Sequence, residues 1–187
     1  MKIIQRMVLL LLLALLLPDI TSAISSKDFI TYRDQESKFI SQYPNTWTQV
    51  PSTHERTRIK IVSENGNGGQ DCAVNVQYEE KSKGISPKEF LRSAPSVQEF
   101  ENGLRKALPD AKVLKRAATN LSNQDAIYYI VDFTIKSVAI EAPIRMYMVQ
   151  TAKNGNIYTL SCRAGQQEFD ERIAEFELIF AGFLIGQ

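Results

Sequence analysis

From Phe29 onward, apolar and polar positions first recur with a period of two, then near 3.6, then two again, and a last segment returns to 3.6. FITYRD (Phe29 to Asp34) and KFISQY (Lys38 to Tyr43) read as short strands joined by a turn at Gln35 to Ser37. IKIVSE (Ile59 to Glu64) and CAVNVQYEE (Cys72 to Glu80) follow, with the glycine-rich NGNGG of Asn65 to Gly69 between them as a hairpin loop. The period then lengthens. Ser86-Pro87-Lys88-Glu89 places an N-cap serine, a proline at the first helical position and a glutamate at the third, so a helix starts there. Pro95 interrupts it, and Ser96-Val97-Gln98-Glu99 repeats the capping arrangement. In the second helix Val97, Phe100, Leu104 and Leu108 share one face, and the helix is expected to stop near Pro109.

Three β-branched and aromatic runs come next: Ala111 to Ser122, Asp125 to Ile135 and Ala142 to Asn154. Asn154-Gly155 is a two-residue hairpin signal, because both central positions of a type I′ turn need positive φ, and it leads into NIYTLSCRA (Asn156 to Ala164). Finally Phe169, Ile173, Phe176 and Phe180 recur at helical spacing, an amphipathic helix that covers a sheet. Strands, helices, strands and a helix, with no internal repeat or linker, read as one α+β domain with an antiparallel sheet.

The N-terminal stretch differs in kind. Lys2 and Arg6 precede the ten apolar residues Val8 to Leu17, then Pro18 and a small-residue site ending at Ala23. This is a secretory signal peptide over residues 1–23 with cleavage after Ala23, leaving a domain over 24–187. A bilayer span needs about 20 apolar residues, so no stable membrane anchor is expected. No cysteine follows the cleavage site, so no lipoprotein is expected either, and the protein is placed in the periplasm or outside the cell. The leader takes two of 22 basic and one of 21 acidic residues, which leaves 20 of each. That balance gives no basic stripe for a phosphate backbone, so nucleic acid is excluded as an expected partner.

The chemistry-bearing residues are few. Cys72 shares a strand face with Val74 and Val76, and Cys162 one with Tyr158 and Leu160, so both thiols point inward. In an oxidising compartment they either bridge or remain two buried small apolar side chains. His54, the single histidine, lies in the polar loop PSTHERTR and fits a solvated turn better than the base of a Cys-His pair. No CxxC or second histidine at helical spacing supports zinc, and NGNGG lacks the Lys-Ser/Thr of a phosphate loop. Glu79-Glu80 beside Asp71 lacks the alternating acidic register of a calcium loop. The expectation is therefore no catalytic residue, no metal and no cofactor. In FISQYPNTW, Phe39, Ser41 and Tyr43 share one face, and Pro44 with Asn45-Thr46 turns the chain so that Trp47 folds back to cap the sheet. An exposed Trp47 would instead mark a partner surface.

This order, with Tyr43-Pro44 ending an early strand, Trp47 just after it, the Ser-Pro-Lys-Glu-Phe helix opening and a tail helix from Glu168, resembles the PsbP-like family over about residues 27 to 184. The resemblance implies an α/β/α sandwich with a central antiparallel sheet flanked by helices, and a non-enzymatic role. Family members are exported or lumenal proteins that bind or help assemble larger complexes. It thus implies a protein partner in the cell envelope. A nuclear Ran-binding factor shares the fold, and the leader argues against that role. The alternative function is a small secreted hydrolase or ligand carrier, with a cleft between sheet and helix served by loops such as Pro51 to Thr57 or Asn65 to Gln70.

Overall fold

The computed structural model describes residues 28–64, 70–136 and 141–186. The leader with its Ala23 site and the NGNGG loop lie outside them. Alternation becomes strand wherever it was read: β1 (Phe29–Asp34), β2 (Phe39–Pro44), β4 (Thr57–Ser63), β5 (Asp71–Tyr78), β6 (Lys112–Leu121), β7 (Gln124–Lys136), β8 (Glu141–Lys153) and β9 (Asn156–Gly165). Two short strands, β3 (Trp47–Val50) and β10 (Phe183–Ile185), join them. All pairings described are antiparallel. One sheet has the order β3-β4-β5-β9-β8-β7-β6 and a smaller one the order β1-β2-β10. Asn154 (φ 53°) and Gly155 (φ 84°) make the left-handed pair that the Asn-Gly signal requires, and Ser122 and Asn123 do the same between β6 and β7.

Helix α1 (Pro87–Ser93) starts at Ser86 and α2 (Val97–Leu104) at Ser96. Both starts are closed by reciprocal capping bonds. The Glu89 amide donates to Ser86 Oγ at 3.2 Å while Ser86 N–H donates to Glu89 Oε2 at 2.9 Å, and Glu99 with Ser96 repeats this at 3.3 and 2.9 Å. Helix α2 ends at Leu104, short of the expected stop near Pro109. The cause is a tie back to the next strand: Glu101 accepts from the Val113 amide at 2.7 Å and pairs with Arg105 at 2.6 Å, while Arg105 Nε donates to the Ala111 carbonyl at 3.0 Å. Helix α3 (Phe169–Ala181) has no side-chain N-cap bond and instead buries Phe169, Phe176, Ile179 and Phe180.

Directly opposed residues in an antiparallel sheet share a face, so the register separates the two faces of the large sheet. One row runs Ile61, Cys72, Cys162, Tyr147, Ile130 and Lys115, from β4 to β6. The row beside it, on the opposite face, runs Val62, Asp71, Arg163, Met146, Val131 and Val113. Helix α3 and the small sheet cover the first face where it is apolar, over β4, β5 and β9. Helices α1 and α2 cover the second face where that is apolar, over β6, β7 and β8. The covers are diagonal, and each row carries charge beyond its cover, Lys115 in the first and Asp71 with Arg163 in the second.

The described residues thus form a mixed α/β fold of two antiparallel sheets and three α-helices, dominated by sheet. Helices lie on both faces of the large sheet, as expected, and the layer that holds α3 also holds β1, β2 and β10. The reason is legible in β2, where Phe39, Ser41 and Tyr43 are buried toward the core and Gln42 is exposed, the pattern of a strand laid flat on another layer.

Candidate functional site

Where a cover ends, the bare half of the sheet forms a recess. On the α3 face a recess of about 450 Å³ lies between the last turn of α3, β10 and the β6–β7 hairpin. Leu121, Tyr147 and Phe180 form its apolar floor, and Thr119, Asn123 and Glu177 stand at its rim. The floor belongs to an aromatic row: Tyr147 meets Phe180 edge-on at 5.0 Å, and Tyr128 meets Tyr147 at 5.5 Å. Lys115 Nζ lies 5.4 Å from the Tyr128 ring centre. Burial raises the Tyr147 hydroxyl pKa above its ordinary value, and the negative charge of Glu177 adds to the rise.

On the other face a recess of about 400 Å³ opens beside α1's neighbours, floored by β4, β5 and β9. Its centre is an ion cluster. Arg163 donates to both Asp71 oxygens at 2.9 and 2.6 Å, and Lys60 approaches the same carboxylate at 3.2 Å. Ser161, Asn75 and His54 also line it. His54 Nδ1 accepts from the Arg56 amide at 3.3 Å, and the His54 amide donates to Ser52 Oγ at 3.2 Å, so the imidazole is an element of its own exposed loop.

The cysteines lie directly opposite each other on β5 and β9, both buried, with their Sγ atoms at disulfide distance. They face α3, whereas His54 lines the recess on the opposite face, so the geometry separates the two members of a Cys-His pair. Trp47 is fully buried. Its Nε1 donates to Glu175 Oε1 at 2.7 Å, and its ring meets Phe176 edge-on at 6.4 Å. The partner-surface role reserved for an exposed Trp47 is therefore corrected: the indole pins β3 to α3.

A family model for PsbP matches residues 27–185. The chain belongs to the PsbP family.

No curated protein matches the sequence. Among solved structures, the fold is similar to cyanobacterial PsbP (CyanoP) from Synechocystis sp. PCC 6803, with 12% identity, a TM-score of 0.63, and coverage of 87% of this chain and 95% of that one. It is also similar to LpqN of Mycobacterium tuberculosis, described as involved in cell envelope biogenesis, at 15% identity and a TM-score of 0.56, covering 84% and 90%. The Saccharomyces cerevisiae Ran-binding protein Mog1p shares the fold at 8% identity and a TM-score of 0.53, covering 85% and 96%. At these identities the likeness is one of fold.

The acidic residues weighed for calcium are each engaged elsewhere: Asp71 with Arg163 and Lys60, Glu79 with Lys81 at 3.3 Å, and Glu80 with Lys83 at 3.6 Å. Among the described residues no group of three or more His, Cys, Asp or Glu side chains is placed to hold a metal, and no helix is long and apolar enough to cross a membrane. Sequence reasoning missed Glu175, Glu177 and the Lys60–Asp71–Arg163 cluster. The last had a signal. Asp71 precedes Cys72 and Arg163 follows Cys162, so any antiparallel pairing that opposes the cysteines also opposes the aspartate and the arginine.

Proposed function

We propose that this PsbP-family chain is an exported, non-catalytic binding or assembly protein of the cell envelope, periplasmic or secreted, released from its leader after Ala23 and acting as a single domain over residues 24–187. The observation that carries the reading is the family match across 27–185. Two proteins of the same fold are described by a binding or envelope-biogenesis role, which supports a protein partner. The covers support it as well, because each leaves half a sheet face open, with polar groups around a recess rather than a continuous apolar seal. In this reading the fold acts as an α/β/α sandwich whose third layer is part sheet, and the Cys72–Cys162 bridge forms in the oxidising compartment and secures the scaffold.

The test is photocrosslinking in the native envelope from probes placed at Thr119 and at Asn75, one in each recess. Capture of one defined partner from either position is the expected result. A protein that runs alone from both positions sinks the proposal. Thiol labelling of unreduced, denatured protein checks the bridge, and modification of both cysteines would remove it. A second reading, a small-ligand carrier, is favoured by the apolar floor and polar rim of the α3-side recess. Screening small ligands for a rise in melting temperature separates it from partner binding.

A further inference from the structure

We infer that the recess at the end of α3 is a binding site for a cationic nitrogen group, an amine or a guanidinium. The inference rests on the binding-protein reading and names the chemistry that this recess selects. Three features of different origin favour positive charge there. Glu177 stands at the rim and makes no ion pair or hydrogen bond with any other described residue, so its carboxylate is available to a ligand. Ala181 and Phe180, in the last turn of α3, line the recess, and that turn carries no basic residue to offset the negative end of the helix. The apolar floor includes two aromatic rings, Tyr147 and Phe180, and ring faces attract cations.

The chain itself makes this kind of contact one ring further along the row, where Lys115 sits over Tyr128. Lys115 does not line the recess, and neither does Lys153, whose Nζ lies 3.4 Å from the Ile185 carbonyl. No basic side chain of the described residues lines the space. The remaining rim groups, Thr119, Asn120 and Asn123, offer neutral hydrogen-bonding atoms beside the carboxylate, which suits the several N–H groups of an ammonium or guanidinium. A recess of about 450 Å³ holds an arginine-sized group with room for its linker.

The same chemistry can come from a free small amine or from a lysine or arginine side chain of a protein. Titrating the purified protein with agmatine, and separately with a neutral peptide carrying one arginine, while following backbone amide resonances of Ser122, Asn123 and Leu184, distinguishes these sources. Saturable shifts are expected for at least one probe, and none for the same peptide with citrulline in place of arginine. Agmatine binding alone identifies a small-amine site, and binding of the peptide alone identifies a protein segment. Glu177→Gln should weaken the binding about tenfold with an unchanged melting temperature, and Tyr147→Leu should weaken it by a smaller factor. Equal binding of the citrulline peptide, no saturable shift with either cationic probe, or unchanged affinity in Glu177→Gln overturns the inference. The partner reading is tested separately: unchanged partner capture by Glu177→Gln removes the recess from the interface and leaves that reading standing, whereas no capture from Thr119 or Asn75 in the native protein sinks it.

Discussion

One sheet carries two covers that are held down in different ways. Helix α3 has 13 residues and buries four of them, and it is pinned through Trp47 and Glu175 to β3. Helices α1 and α2 have 7 and 8 residues, and neither buries a residue fully. Helices that short are unstable alone, so the pair depends on its capping boxes and on partly buried contacts such as Phe100 stacked on Tyr129 at 3.8 Å between ring centres. The contrast shows that a cap and a buried face are alternative solutions to one problem. α3 lacks the first and has the second, whereas α1 and α2 have the first without the second.

The sharpest way to break the contrast is Trp47→Ala. It removes a fully buried indole and leaves Glu175 Oε1 without its donor, with Arg172 at 3.5 Å as the carboxylate's remaining partner, so a loss of about 3–5 kcal/mol is expected in denaturant unfolding. A loss below about 1 kcal/mol would mean that α3 is not pinned there. Next comes the double replacement Cys72→Ala/Cys162→Ala. The chain-entropy account of a 90-residue separation gives about 4–5 kcal/mol, and measured cases centre on about 2–4 kcal/mol. The effect should appear in the global unfolding free energy, with no selective change in hydrogen exchange at α1 and α2.

The caps come third. Ser96→Ala should cost about 1 kcal/mol, read as faster exchange in α1 and α2 with α3 unchanged. Acid should mimic it. Glu89 is held below the ordinary carboxylate value of 4.5 chiefly by the Ser86 amide, and Glu99 chiefly by the Ser96 side chain. A depressed folded-state value stabilises above the unfolded value and is lost as pH falls through the folded one. Exchange in α1 and α2 should therefore accelerate as pH drops below 4.5, before exchange in α3 does. The smallest effect is Tyr129→Phe. Its hydroxyl is buried with the Arg116 side chain nearby but not in good hydrogen-bond geometry, so its removal should leave the melting temperature nearly unchanged. A clear fall in melting temperature would show that the hydroxyl does have a partner.

The same contrast explains what could be read from the sequence. The α1–α2 cover was legible almost entirely, because capping boxes are local: serine and glutamate three residues apart carry the whole signal. The strands were legible by alternation, and the Asn154-Gly155 turn by its need for positive φ. The α3 cover was legible only as an amphipathic face. Its pin joins residues 128 apart, and its sheet partner β10 is three residues long and reads as a continuation of the helix's apolar run. The inward direction of both cysteines was visible, but their pairing depended on β9 lying beside β5, a neighbour relation that strand order does not announce. The α3-side recess was hidden for the same reason, whereas one wall of the other was legible: the loop Pro51 to Thr57, named as serving a cleft, supplies Ser52, His54 and Thr57.

The middle strand of the small sheet, β2, is paired on one side with β1 and on the other with β10. Phe183 sits opposite Ser41 and Ile185 opposite Phe39, and the Ile185 amide donates to Ser122 Oγ at 2.7 Å. During synthesis, β2 has its first neighbour almost at once, but its second arrives only when residues 183–185 have left the ribosome. Until then the nascent chain carries an open strand edge at β2 and a core short of Phe183 and Ile185. Residues 183–185 thus close a strand edge that has stood open since residues 39–44 were made.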